Sequence, residues 1–155
     1  MDGTDRRFSA FRKEDSRRLQ VLQNSISRLK TGLAWDTPTR ELLKASGDLS
    51  VQQLVAYHTI MLVFRVLNSG KPSYLSSKLK LCQPQNDHNG VFPHRQKNTI
   101  AVNNCQLSLS RGGFIYRGSK LFNSLPLNLR TETKFMTFKK KLKIWIRDYI
   151  DIKAY

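Results

Sequence analysis

Acidic residues are scarce in this sequence: 11 Asp and Glu stand against 27 Lys and Arg in 155 residues, a formal charge of +16. That shortage excludes much chemistry. Two-metal phosphoryl transfer needs carboxylates that converge on the ions. The nearest approach, Asp148 and Asp151, has the spacing of a solvated helix face. Asp36, Asp48 and Asp87 are scattered among turn-forming residues, where aspartate serves capping and turn hydrogen bonds.

Cysteine and histidine are almost as rare. Cys82 and Cys105 are too few for a disulfide framework and are expected to be free thiols in a reducing, intracellular setting. With His88 and His94 they supply the atom types of a tetrahedral zinc site. Their spacings are unlike a compact finger, however, and no Cys-x-x-Cys pair nucleates one, so a polar loop without metal is the expectation. A zinc-assisted nuclease at His88 and His94 is the corresponding enzyme reading and ranks last. His58, among apolar neighbours, is expected to be a core histidine. No G-x-S-x-G is present, and Ser110-Arg111-Gly112-Gly113 matches neither phosphate-cradling pattern, so the pair of glycines reads as a turn. Catalysis by this chain itself and a resident cofactor are therefore not expected.

Long apolar runs are missing too. The most apolar stretch, Thr59 to Leu67, is broken by Arg65 and falls short of the roughly 18 residues a membrane span needs. The N-terminus has no apolar core behind a basic start, so neither a secretory signal nor a membrane partner is expected.

What is present is helical periodicity. Residues 1–15 mix charges of both signs and are expected to be a disordered lead-in, with one helix-rich domain over 16–155. Leu19, Leu22, Ile26, Leu29 and Leu33 step by three and four, which predicts a first helix from Ser16 to about Gly32. Thr37-Pro38 and Gly47 bracket a short second helix, with Thr37 as the capping hydroxyl. Ser50 and Gln53 make a capping box for a third, strongly apolar helix ending at Asn68-Ser69-Gly70, which is the predicted hub of the core. A further turn runs from Pro72 to Leu79.

Residues 82–98 are polar and aperiodic, a loop. Ile100, Val102, Leu107 and Leu109 alternate about Asn103-Asn104 and predict one short β-hairpin. A short helix is expected around Ser119 to Ser124. Phe135, Phe138, Leu142, Trp145 and Tyr149 predict a long amphipathic C-terminal helix from about Thr133 to Ile152. The fold class is thus mainly α: a small helical domain with one hairpin and that closing helix.

The remaining signal is charge. From Arg111 to Arg147 ten basic residues face one acid, Glu132, and such one-signed charge is best relieved by phosphates. Arg111, Arg117, Lys120, Lys139, Lys140, Lys143 and Arg147 are the predicted contacts to RNA or DNA. Phe114, Tyr116 and Phe122 are interleaved with them and could stack on bases, although core packing is the favoured role.

Three segments together resemble the region that follows the polymerase domain in non-LTR (LINE-like) retrotransposon reverse transcriptases. The first is Leu19-Gln20-Val21-Leu22-Gln23-Asn24 with Thr37-Pro38-Thr39, similar to that family's "Q-N-x-A-x-R … T-P" helix pair. The second is Gly70-Lys71-Pro72-Ser73-Tyr74-Leu75, similar to "G-x-x-P-x-Y-L". The third, Phe114-Ile115-Tyr116-Arg117-Gly118 through Phe122-Asn123-Ser124-Leu125-Pro126, is similar to "F-x-Y-R-G-x-x-x-W-N-x-L-P", with Phe122 where the pattern has Trp. The closing Phe138-Lys139-Lys140-Lys141-Leu142-Lys143 fits the family's last helix, so the resemblance covers about residues 16–150.

The resemblance implies a position beyond the polymerase, in contact with RNA template or target DNA, or packed on the polymerase domain through the third and last helices. It carries over no activity. The polymerase aspartates, the endonuclease and the zinc knuckles of some relatives are not in this sequence.

Overall fold

The computed structural model describes residues 13–82, 98–102 and 113–149, and these are mainly α-helical. The helices are α1 (Lys13–Thr31), α2 (Thr39–Ser46), α3 (Val51–Ser69), α4 (Ser73–Ser76), α5 (Phe114–Asn123), α6 (Leu127–Arg130) and α7 (Phe135–Tyr149). Among the described residues there is no sheet. Ile100 makes an isolated antiparallel bridge with Leu81, through Cys82 N–H to Thr99 O at 2.7 Å and Ala101 N–H to Lys80 O at 3.0 Å. Most of the predicted hairpin lies outside the described residues.

Helix α3 is the hub, and its start is as predicted. The Ser50 hydroxyl accepts from Gln53 N–H at 3.2 Å while the Gln53 side chain accepts from Ser50 N–H at 2.9 Å. Its end is Gly70, whose φ of 67° is the left-handed conformation glycine adopts without strain. Between these caps Ile60, Val63, Phe64 and Val66 are buried. α5 and α7 pack against α3, and α6 packs on α7. Phe64 of α3 stacks on Phe138 of α7 at 3.9 Å with planes 11° apart, and the Gln53 side chain donates to Ile146 O at 3.3 Å. The start of α3 therefore lies beside the end of α7, and the pair is antiparallel. Phe138, Leu142 and Ile146, spaced four apart, are all fully buried at this seam.

The third family-like motif serves this core. Gly118 lets α5 approach α3 closely: a methyl group there would sit 2.9 Å from the Val63 Cγ2 atom. Phe122 and Leu125 are buried. Asn123 clamps the backbone of Ile100, accepting its N–H at 2.8 Å and donating to its carbonyl at 2.9 Å.

Four sequence expectations change. α1 begins at Lys13, so the last three residues of the expected lead-in are helical. Glu14 and Asp15 in its first turn suit the positive end of the helix dipole. α2 starts at Thr39 after Pro38, and Thr37 makes no side-chain cap. The Thr39 hydroxyl instead accepts from Asn24 at 2.8 Å. α5 starts at Phe114, five residues before Ser119, with Gly113 in extended conformation as its N-cap and Phe114 and Ile115 packed on the core. His58 is exposed, edge-on to Tyr57 at 5.2 Å, and not a core residue.

Which way α1 faces is something its periodicity alone does not determine. Its apolar stripe is turned to solvent: Leu22 is 60% exposed, Ile26 65% and Leu29 87%. The inward face is polar. Gln20, Asn24 and Ser27 lie on roughly the opposite side of the helix at about 100° per residue. The Gln20 carbonyl oxygen accepts from Val51 N–H at 2.9 Å, and Gln23 donates to Leu49 O at 2.6 Å. Arg28 reaches Thr37 O at 3.4 Å, and Lys30 donates to Ser46 O at 2.9 Å. Periodicity located the stripe correctly, but hydrogen bonds to the α2 and α3 caps decide which face packs.

Candidate nucleic-acid interface

The basic residues of α7 are sorted by the burial of its other face. With Phe138, Leu142 and Ile146 inside, Lys139, Lys140 and Lys143 project outward, and all three are exposed. Lys139 and Lys143 are one turn apart, about 6 Å along the axis. Among the described residues no acid pairs with any of the three. A held cluster of like charge is unfavourable on its own and is relieved by a polyanion. Met136 and Ile144 are exposed on the same face, at 62% and 61%. That face therefore combines cations with apolar contact surface.

The neighbouring charges are already engaged. Lys141 pairs with Glu132 at 2.8 Å, and Lys134 N–H also reaches the Glu132 carboxylate, at 3.3 Å. The Lys141 side chain first, then these backbone and charge interactions, hold the Glu132 carboxyl below the usual carboxylate range. Arg147 donates to Gly47 O at 2.9 Å, so it tethers the end of α2 to α7 in addition to adding charge.

Arg117 and Lys120 are on α5, a different helix held by α3. Arg117 is half-buried, and Lys120 lies 4.9 Å over the ring of Tyr116. Arg111 lies outside the described residues. Lys139, Lys140 and Lys143 thus form one cluster, Arg147 sits at its edge, and Arg117 and Lys120 stand on another element. Of the three aromatics considered for base stacking, Phe122 is buried and Phe114 packs on the core, leaving half-buried Tyr116. Trp35, at 84% exposure, is the large aromatic that periodicity missed, because it follows α1 in a connecting turn with no repeat to mark it.

No family model, curated protein or solved structure matches this chain.

Of the conceivable zinc ligands, Cys82 is described, half-buried and a free thiol, whereas His88, His94 and Cys105 lie outside the described residues. Among the described residues no three His, Cys, Asp or Glu side chains gather as a metal site. No single described helix is long and apolar enough to cross a membrane. The buried faces of α3 and α7, the expected docking surfaces for a polymerase domain, are packed on each other.

Proposed function

We propose that this chain is a non-catalytic nucleic-acid-binding module whose primary contact surface is the outward face of α7. The observation that carries this reading is the cluster of Lys139, Lys140 and Lys143, exposed and without an acidic partner among the described residues, on a chain of net charge +16. Arg147 flanks the cluster, and Lys120, Arg117 and Arg111 supply further phosphate contacts. Phosphates are the ligands such a surface fits, with RNA and DNA as the source. The three family-like segments support the narrower proposal that the module is the post-polymerase portion of a LINE-like reverse transcriptase, acting beside a polymerase that supplies the chemistry.

The test is fluorescence anisotropy with single-stranded RNA and duplex DNA across about 50 to 200 mM salt. Affinity should fall steeply as salt rises. Lys139→Glu, Lys140→Glu and Lys143→Glu together should weaken binding and flatten the salt slope by about one for each phosphate no longer neutralised. Binding that is absent, or indifferent to salt, refutes the proposal.

A further inference from the structure

The outward face of α7 is not uniform, and the distribution of charge across it bears on which form of nucleic acid fits. At about 100° per residue, Lys139, Lys143 and Arg147 make one row along the helix. Met136, Lys140, Ile144 and Asp148 make the next row, farther from the core. Beyond that row lies Lys141, whose ammonium is 2.8 Å from Glu132. Formal charge therefore falls from three cations in the first row to zero in the second, where Lys140 and Asp148 cancel, and stays at zero where Lys141 meets Glu132.

A duplex groove has a phosphate strand on each side, and a helix laid into it would set one strand against the flank that holds Glu132 and Asp148. A single strand is itself two-sided, with phosphates along one edge and base faces along the other. We infer, resting on the nucleic-acid reading of this face, that α7 binds single-stranded nucleic acid in a fixed orientation: phosphates along Lys139, Lys143 and Arg147, bases over Met136 and Ile144.

The dimensions agree. Neighbouring cations of the row are about 6 Å apart along the axis, close to the repeat of phosphates along an extended strand. Arg147 keeps its charge while donating to Gly47 O. Met136 and Ile144, 62% and 61% exposed, lie two turns apart on the side where the bases fall. The aromatic rings of Phe135, Phe138 and Trp145 are turned to the core, so the base contact is aliphatic. The flexible Met136 thioether adapts to any base, and sequence preference is slight.

Fluorescence anisotropy of wild type and the double variant Met136→Gln, Ile144→Gln on four probes tests the orientation. The probes are a deoxythymidine oligonucleotide, the same backbone without bases, the deoxythymidine strand in duplex form, and a uridine oligonucleotide. The variant should bind both intact single strands about ten-fold more weakly, with an unchanged salt slope because no charge is removed. Its affinity for the abasic strand and for the duplex should equal that of wild type. Both positions are exposed and glutamine is a good helix former, so the melting temperature should hold. Wild type should also bind the intact strand more tightly than the abasic one, a comparison that needs no variant. Intact strands bound equally by the two proteins, or an equal loss on all four probes, overturn the orientation but leave the nucleic-acid reading standing if binding still falls with salt. Absence of binding to every probe removes both. Phosphatidylserine vesicles that bind wild type but not the variant, with strand affinity unchanged, assign the apolar row to lipid and overturn the inference as well.

Discussion

Replacing Gly118 by alanine sets two effects of known size against each other. In a helix interior alanine is favoured over glycine by about 1 kcal/mol, so on propensity alone Gly118→Ala stabilises α5. The added methyl, however, lies 2.9 Å from Val63 Cγ2, inside the roughly 3.5 to 4.0 Å of ordinary carbon contact. Val63 is fully buried, and its β-branched side chain has one strongly preferred rotamer, so it does not swing aside. Overpacking of this kind costs about 1 to 3 kcal/mol. The balance is a net loss of about 1 kcal/mol, or about 2 to 4 °C in melting temperature for a chain of this size. Val63→Ala alone should cost about 2 kcal/mol for the buried methyls it removes. Combined, the two changes should cost less than their sum by at least about 1 kcal/mol, because the alanine at 118 fills the space vacated at 63. Urea denaturation of the four proteins, with unchanged m-values, measures the coupling. If Gly118→Ala alone raises stability by the full propensity gain, the close α3–α5 crossing is wrong.

The remaining predictions concern the core and the Glu132 carboxylate. Phe138→Ala removes a fully buried ring stacked on Phe64 and should cost about 3 to 5 kcal/mol in denaturant unfolding, whereas a loss below about 1 kcal/mol would contradict that burial. Glu132 titrates below the usual carboxylate range in the folded chain. Its contribution is therefore present above the unfolded value, about 4.3, and is lost as pH falls through the lower folded value. Denaturation midpoints of wild type and Glu132→Gln should differ at about pH 7 and draw together as pH falls below the unfolded value, and a gap independent of pH would count against the Lys141 pairing.

How far the sequence foretold the fold depended on whether a signal was local. The Ser50/Gln53 box, the Gly47 and Gly70 stops and the Phe138-Leu142 spacing act within one element, and each appears where the pattern placed it. The direction α1 faces is not local. The apolar row at 19, 22, 26 and 29 and the polar row at 20, 24 and 27 have the same helical spacing, and the choice between them rests on acceptors and donors 15 to 31 residues away. For the candidate site, charge composition identified α7 as basic, but not which cations stay unpaired. Lys141 differs from Lys140 only because Glu132 lies within reach of it, and Arg147 is partly engaged because α2 ends beside it.

The polar seam that attaches α1 to α2 and α3 also makes the temperature response of the domain uneven. Separating α3, α5 and α7 exposes mainly apolar surface and raises the heat capacity, so their cohesion weakens as water is cooled. Detaching α1 exposes the amides of Gln20, Gln23 and Asn24 along with backbone groups at the α2 and α3 caps, surface whose hydration lowers the heat capacity. The stability curves of the two parts therefore bend differently with temperature, and cold loosens the helical body more than it loosens the N-terminal helix.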